Sequence, residues 1–353
     1  MGERLEFPGG EVNRYASSAT VLLSAAISFA CASQSGTGGA ASDLPPAPDA
    51  ITEIPDSLVT PTGTVQGTLE LPAKAFPVPV VLIISGSGPT DRNGNSPALP
   101  GSNNSLMLLA TGLAERGVAT LRYDKRGIAA SAKAAGSEQD IRFTHFIDDA
   151  KGWIEKLKAD PRFSSVAVAG HSEGSLIGMV AAREAGADRF ISLAGAGRRP
   201  RAVIIEQLTG QLPEETIAQA DTIMGVMEAG VVPDSTYKVP PILYMLFRPT
   251  VRPYMVSWFH YDPAIEIAQL MVPVMIVQGS TDVQVSQKDA DALAAALPAA
   301  KVVVIDGMNH VLKEAPAGRA NQGSAYSDPS IPVVPRLIDD LADFVRRLKE
   351  TTG

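Results

Sequence analysis

A short apolar run leads into a serine-centred turn near the middle of the chain. The run covers residues 165–169 (S-V-A-V-A), and residues 170–174 read G-H-S-E-G before a helix-like stretch at 175–182. In a strand–turn–helix of this form the serine occupies a sharp, strained turn, where only small flanking residues avoid clashes. The pattern therefore predicts that the hydroxyl of Ser172 is exposed and held in place, as a nucleophile must be.

Strand-like and helix-like segments alternate on both sides of this turn. Residues 63–71 alternate as an antiparallel strand does, whereas residues 78–84 are continuously apolar, as in a strand buried on both faces. Further strand-like segments lie at 118–123, 189–194, 272–278 and 302–305, with helical spacing of apolar residues between most of them. This order predicts an α/β fold with a mainly parallel sheet and helices on both faces.

The alternation stops between residues 198 and 265. This stretch is rich in Met, aromatic residues and Pro, and we interpret it as a helical cap inserted between two parts of an α/β core, residues 51–197 and 266–353. Met and aromatic side chains adapt to irregular apolar shapes. Met224, Met255, Trp258 and Phe259 are thus candidates for lining a substrate pocket. The alternative is that they pack the cap against itself.

The first 32 residues have the pattern of an export signal. Residues 19–32 are apolar but shorter than the roughly 20 residues that span a bilayer, and residues 30–32 (A-C-A) resemble a cleavage site. Acidic residues precede this segment, so we expect translation to start near Val12. Cys31 is the only cysteine. It is either a lipidation site that anchors the protein to a membrane or an incidental residue of a removed peptide. A flexible linker is expected at 33–50.

The net charge argues against nucleic acid as a partner. The 353 residues carry a formal charge of −8, whereas binding of nucleic acid requires a basic face. No His/Asp/Glu cluster has metal-ligand spacing, so no metal site is expected. The sequence leaves the oligomeric state open.

A base and an acid for Ser172 are found on later loops. His310 follows the last predicted strand, so it should lie at the carboxyl edge of the sheet with Ser172, where open α/β sheets bind ligands. Asp282 follows the preceding strand and is the candidate acid, with Asp306 as the alternative. A serine hydroxyl needs such a base, and the base needs an orienting acid. We expect His145 and His260 to lie outside the site, and the side chain of His171 to point away from that of Ser172.

An oxyanion hole is expected from two backbone N–H groups. One belongs to Glu173, directly after the serine, and the other to Ser87, in the loop that follows the strand at 78–84. Gly86 and Gly88 would allow close approach of this loop. Asp91 and Arg92 would support it as part of a network of acidic residues and arginines. The alternative is that the loop after the strand at 78–84 is only a polar turn without a catalytic role.

Four motifs together resemble a known family. Residues 85–92 (S-G-S-G-P-T-D-R), 123–127 (Y-D-K-R-G), 170–174 (G-H-S-E-G) and 261–263 (Y-D-P) are similar to those of one branch of bacterial α/β-hydrolase-fold serine esterases. That branch is related to serine aminopeptidase-like and acyl-thioesterase-like hydrolases. The resemblance implies an eight-stranded core with a helical cap, no cofactor, and cleavage of small-molecule carboxylic esters.

Two other functions stay open on the same motifs. A peptidase or amidase would use the same triad but would need a charge in the cap to bind a free amine. Four glutamates of the insertion are candidates for that charge: Glu206, Glu214, Glu215 and Glu228. A non-catalytic binding protein would require one triad residue to be missing, and each has a candidate.

Overall fold

The computed structural model of the protein describes residue 44, residues 48–99 and residues 101–347. The predicted signal segment at 1–32, with Cys31, lies outside the described residues, as does most of the predicted linker. None of the helices that the structure describes combines the length and the hydropathy that a membrane span requires.

The described strands form one sheet. They are β1 (Thr52–Thr60), β2 (Gly63–Leu71), β3 (Val78–Ile84), β4 (Ala119–Tyr123), β5 (Phe163–His171), β6 (Arg189–Leu193), β7 (Val274–Gly279) and β8 (Lys301–Ile305). Their order is β1-β2-β4-β3-β5-β6-β7-β8. The pairs from β4 through β8 are parallel, whereas β1–β2 and β2–β4 are antiparallel. This confirms the predicted mainly parallel, eight-stranded sheet.

Strand β1 was not expected as a separate element. Its residues are mostly exposed and Pro55 interrupts the segment, and a proline within a run argues against a central strand. The structure places β1 at the edge of the sheet, where a missing backbone N–H is tolerated. Pro55 there lies opposite Thr68 of β2.

Helices cover both faces of the sheet and form the insertion. They are α1 (Ser105–Glu115), α2 (Phe143–Ala159), α3 (Glu173–Ala185), α4 (Pro200–Leu208), α5 (Glu214–Glu228), α6 (Tyr244–Phe247), α7 (Arg252–Phe259), α8 (Pro263–Ala268), α9 (Gln287–Ala296), α10 (Gly323–Ser327) and α11 (Pro335–Arg346). Short 3₁₀ segments lie at Ala129–Ala134, Glu138–Asp140, Pro241–Leu243 and Arg319–Asn321.

The continuous apolar run of β3 is explained by two hydrophobic cores. Val80 and Leu82 pack into a core with α2, α3 and α9, whereas Val81 and Ile83 pack into a second core with α1 and α11. Successive side chains of a strand point to opposite faces, so a strand covered on both sides has no position left for a polar residue. This arrangement fixes β3, and the loop that follows it, at the centre of the sheet.

Helices α4 to α8 lie between β6 and β7, in the region interpreted as a cap. A third core within this region encloses Met224, Met255 and Phe259, each at most 3% exposed. Trp258 is half-buried and stacks on Phe143 of α2, with ring centroids 6.3 Å apart. These contacts agree with the alternative in which the Met and aromatic side chains pack this region against itself.

Two loops meet closely at the carboxyl edge of the sheet. Gly279 ends β7, and a Cβ atom at this position would lie 2.0 Å from the backbone oxygen of Met308. The backbone N–H of Thr281 also donates to that oxygen, at 3.1 Å. Glycine is therefore required where the loop bearing Asp282 crosses the loop bearing His310.

Candidate active site

Ser172 occupies the strained turn that its motif predicts. Its φ of 54° and ψ of −123° lie in a region that costs an L-residue of the order of 1–3 kcal/mol. Its backbone N–H donates to the oxygen of Leu193, 2.9 Å away. A Cβ at Gly170 would lie 2.2 Å from the oxygen of Gly174, and one at Gly174 would lie 2.4 Å from that of Ile84. The two motif glycines are therefore obligatory, because backbone fills the space on both sides.

The turn places Ser172 at the N-terminus of α3. Ser172 is the residue that precedes the helix, and in the described part of the chain its hydroxyl does not cap the helix. Unpaired N–H groups and the helix dipole make this end partly positive. A negative charge that develops on an acyl oxygen beside Ser172 would be stabilised there.

His310 and Asp282 are hydrogen-bonded. His310 Nδ1 lies 2.8 Å from Asp282 Oδ2, with both side chains at most 5% exposed. The other carboxylate oxygen, Oδ1, accepts backbone N–H groups from Gln284 at 2.7 Å and Val285 at 3.0 Å. The alternative acid, Asp306, is exposed and accepts instead from the hydroxyl of Ser280. The geometry thus pairs the ring with Asp282.

The environment of Asp282 favours its charged form. Burial alone would raise the pKa of this carboxyl, but the charge of His310 and the hydrogen bonds from His310, Val285 and Gln284 outweigh it. The net effect holds the pKa of Asp282 below its ordinary value. Asp282 is therefore an anion at neutral pH. It fixes the His310 ring with Nδ1 protonated and Nε2 free to accept a proton.

His171 connects the serine turn to the histidine loop. Its Nε2 lies 2.7 Å from the backbone oxygen of His310, and the two rings lie 4.8 Å apart between centroids. Because the partner is a carbonyl, Nε2 must carry the hydrogen. The expectation that the side chain of residue 171 points away from Ser172 had given it no role. The signal available in the sequence was the position of His171 at the carboxyl end of the predicted strand, beside Ser172.

The loop after β3 is held against the serine turn. A Cβ at Gly86 would lie 3.1 Å from Ser172 Cβ, so this position must stay small. Gly88 has a positive φ of 69° and turns the loop. Thr90 Oγ1 donates to the backbone oxygen of Ser87 at 2.8 Å. The predicted Ser87 and Glu173 donors thus belong to two segments that meet at Ser172.

Arg92 and Asp91 stabilise this loop in different ways. The Arg92 guanidinium donates to Asp124 Oδ2 at 2.7 Å, and its backbone N–H donates to Oδ1 of the same carboxylate at 2.8 Å. Asp91 Oδ1 accepts backbone N–H groups from Asn93 and Asn95 within the loop. The ion pair therefore attaches the loop to the end of β4, while Asp91 shapes it locally.

A buried charged network lies beneath the same loop. Lys125 Nζ donates to the backbone oxygen of Gly86 at 2.5 Å and to Glu173 Oε2 at 3.0 Å. Tyr254 of α7 donates its hydroxyl to Glu173 Oε1. Burial and the charge of Glu173 raise the pKa of Tyr254 well above its ordinary value. In the sequence, Lys125 belongs to the motif at residues 123–127 and Tyr254 to the region interpreted as a cap. Neither residue is among the predicted site residues.

The remaining histidines lie outside this cluster. His145 Nδ1 accepts the backbone N–H of Arg142 at 3.3 Å, at the start of α2. His260 is exposed after α7 and contacts the ring of Tyr261 edge-on. Both positions agree with the expectation that neither histidine contributes to the site.

The long segment between His310 and α11 packs against the loop that carries Asp282. Gln322 Nε2 donates to the backbone oxygen of Thr281 at 2.7 Å, and Gln284 donates to the hydroxyl of Tyr326 at 2.8 Å. Lys313 is buried and donates to the backbone oxygen of Asp328. The bonds of Gln322 and Tyr326 attach the segment to the loop that carries Asp282, and the bond of Lys313 stabilises the segment itself.

The environment of His171 makes stability depend on pH. Burial, with the nearby charge of His310, lowers the pKa of His171 to about 3, from an unfolded value near 6.5. Between these values the unfolded chain binds a proton that the folded protein excludes, so stability falls as pH falls. Between pH 6.5 and about 3, the free energy of unfolding of His171→Gln should therefore fall less steeply than that of the wild type, by about 1.4 kcal/mol per pH unit.

The measurement is the free energy of unfolding against pH for wild type and His171→Gln. Subtracting one curve from the other cancels the contribution of the carboxylates, which both proteins share. His260→Gln, which changes an exposed histidine, should leave the slope unchanged. Parallel curves for wild type and His171→Gln would contradict the assignment of a buried, neutral ring.

Comparisons with known proteins agree with this geometry. A family model described as serine aminopeptidase, S33, matches residues 102–222. Esterase EstD of Thermotoga maritima is 25% identical over 289 residues, which are 79% of this chain and 65% of EstD. The matched region thus spans slightly less than two thirds of this curated relative.

Solved structures share the fold at low sequence identity. Est1E from Butyrivibrio proteoclasticus, with ferulic acid bound, has a TM-score of 0.54 and 18% identity, covering 80% of this chain and 95% of its own. Proline iminopeptidase from Mycobacterium smegmatis has a TM-score of 0.51 and 17% identity, covering 82% and 97%. These matches confirm the fold that the four motifs predict: the chain has the α/β-hydrolase fold.

Proposed function

We propose that the protein is a serine hydrolase that cleaves carboxylic esters through an acyl-enzyme intermediate. The observation that carries this proposal is the 2.8 Å contact between His310 Nδ1 and Asp282 Oδ2. It lies on loops that follow two adjacent parallel strands, at the sheet edge where Ser172 occupies its strained turn. A nucleophile, a base and an orienting acid on one edge are the parts that acyl transfer requires.

In the proposed first half-reaction, Ser172 Oγ attacks the acyl carbon while His310 Nε2 takes the hydroxyl proton. Asp282 holds the ring in the required tautomer and stabilises the imidazolium that forms. The backbone N–H groups of Ser87 and Glu173 donate to the oxygen of the tetrahedral intermediate. Collapse of that intermediate breaks the bond to the alcohol, which leaves with the proton from His310.

Water completes the reaction in the second half. His310 Nε2 takes a proton from water, and the resulting hydroxide attacks the acyl carbon bound to Ser172. A second tetrahedral intermediate then collapses and releases the carboxylic acid, and His310 Nε2 returns the proton to Ser172 Oγ. Asp282 stays ionised throughout, because its interaction with His310 and its backbone hydrogen bonds outweigh burial and hold its pKa below the ordinary value.

The charged residues of the cap favour plain acyl esters over substrates with a free amine. Glu206 pairs with Arg198 at 2.5 Å, and Glu228 pairs with Arg201 at 3.1 Å. Glu214 and Glu215 are exposed in the first turn of α5, where the helix dipole stabilises them. Each cap glutamate considered for amine binding is thus either paired with arginine or directed to solvent.

Removing the nucleophile tests the proposal directly. Ser172→Ala should lower turnover of p-nitrophenyl esters by roughly 10⁴-fold or more, since triad residues act as a unit. It should also abolish labelling by a fluorophosphonate probe. Ser164→Ala, which changes an exposed serine at the other end of β5, is the matched control and should keep full activity. An active, folded Ser172→Ala enzyme would refute the mechanism.

An aminopeptidase or amidase is the second candidate, favoured by the family match over residues 102–222. The discriminating pair is an aminoacyl p-nitroanilide and its N-acetylated form, assayed beside p-nitrophenyl acyl esters. We expect efficient ester cleavage and no gain from a free amine, because the cap glutamates are neutralised or exposed. Turnover that depends on the free amine would favour the peptidase instead.

We further propose that the protein is exported, either as a lipoprotein anchored through Cys31 or as a secreted protein. The apolar segment at 19–32 and its A-C-A ending support this proposal. Mass spectrometry of the cell-envelope fraction should find an acylated N-terminal Cys31 or a chain cleaved after residue 32. Cys31→Ser should abolish acylation while leaving fluorophosphonate labelling intact. An unprocessed, unacylated chain in the cytoplasm would contradict both forms.

A further inference from the structure

Lys125 lies at an unusual position for a lysine. It lies two residues beyond the end of β4, and its side chain is only 2% exposed. Its ammonium group lies 2.5 Å from the backbone oxygen of Gly86, 3.0 Å from Glu173 Oε2 and 5.2 Å from the ring centroid of Phe146. An ammonium has three N–H donors, so these two acceptors and the aromatic face account for its bonding capacity. The group is enclosed and its position is fixed.

The contact with Gly86 determines the direction of a catalytic donor. The carbonyl of Gly86 and the N–H of Ser87 belong to one peptide unit, which is planar and trans, so the two bonds point in opposite directions. Fixing the carbonyl oxygen therefore fixes the direction of the Ser87 N–H. A cation on the oxygen also polarises the peptide unit, and this strengthens donation from its N–H.

The contact with Glu173 involves the second donor of the same site. The backbone N–H of Glu173 is the other predicted oxyanion donor, and its carboxylate is 3% exposed and bound to Lys125. Lys125 thus cross-links the two chain segments that would supply the hole. The hydroxyl of Tyr254 occupies the second carboxylate oxygen of Glu173, so this carboxylate has a partner on each side.

We propose that Lys125 is the positioning residue of the oxyanion hole, acting through the Gly86–Ser87 peptide and Glu173. This inference rests on the proposed ester hydrolase function. Lys125 does not touch the substrate. It sets the direction and strength of the two N–H groups that do, so its contribution should appear in the transition state and not in substrate binding.

The test is Lys125→Met, which keeps the length of the side chain but removes the charge. Loss of a direct oxyanion donor costs about 10²–10³ in kcat, so removing its positioning residue should lower kcat by roughly 10–100-fold. KM for a p-nitrophenyl ester should stay within about twofold, because ground-state binding is unchanged. The inhibition constant of a trifluoromethyl ketone, which forms a tetrahedral adduct with serine, should rise by the same factor as kcat/KM falls.

Arg126→Met is the matched control. Arg126 is the next residue and forms a buried ion pair with Asp149, at 2.5 Å. Like Lys125→Met, this variant leaves a buried carboxylate without its cation, but it does not alter the Gly86 carbonyl. It should keep kcat and ketone affinity even if its stability falls. An equal loss of kcat in both variants, or an unchanged kcat in folded Lys125→Met, would overturn the proposal.

Two further measurements distinguish a failure of the Lys125 proposal from a failure of the proposed hydrolase function. Complete but slow fluorophosphonate labelling of Lys125→Met would show that the nucleophile is intact, whereas failure to label the wild type would refute the proposed function itself. If Lys125→Met does not fold, Lys125→Arg retains the charge with displaced donors. Its kcat/KM and ketone affinity should then fall by one common factor. A fall in kcat/KM with unchanged ketone affinity would overturn the positioning role.

Discussion

The site depends on backbone segments that approach too closely for any side chain to lie between them. Gly170 and Gly174 allow the serine turn to pack on its own helix and on the end of β3. Gly86 allows the next loop to reach Ser172, and Gly279 allows the acid loop to cross the histidine loop. Close packing of this kind leaves little room for relaxation. The strained φ of Ser172 is therefore maintained by its surroundings and not by its own preference.

Buried charges then fix the directions of the polar groups within this frame. Asp282 accepts backbone N–H groups through one oxygen and the His310 ring through the other. Lys125 and Glu173 form a second buried pair under the loop after β3. A buried charge is tolerated only when its hydrogen bonds are satisfied, and such groups consequently have one permitted orientation. The result is a preorganised arrangement in which few side chains need to move.

Much of this could be predicted from the sequence because strand and helix periodicities are local signals. Seven of the eight strands correspond to segments recognised in the sequence. Strand β1 was not recognised, because an exposed edge strand containing Pro55 lacks the apolar alternation that marks the others. The rule that the carboxyl ends of parallel strands share one edge brought Asp282 and His310 together. It did not exclude Asp306, which follows β8 at the same edge. The structure does so, because Asp306 accepts from Ser280 while Asp282 pairs with His310.

The contacts of His171, Lys125 and Tyr254 could not be predicted in the same way. Each joins segments far apart in the chain, such as Tyr254 of α7 with Glu173 of α3. Nothing in the local pattern around Lys125 distinguishes a solvated loop lysine from one that donates to the Gly86 carbonyl. Such contacts depend on the direction of individual side chains after the core has formed, and periodicity contains no information about that.

The contact between Tyr254 and Glu173 also determines what a displacement of α7 would cost. If α7 moved away from the core, Glu173 would lose one of its two partners while staying enclosed, and Trp258 would leave the ring of Phe143. Displacement of α7 would thus carry an electrostatic cost in addition to the exposure of aromatic surface. A bulky ligand that displaced α7 would have to break the hydrogen bond between Tyr254 and Glu173, the residue beside the serine. A ligand that donated to Glu173 in place of the Tyr254 hydroxyl would lower this energetic cost.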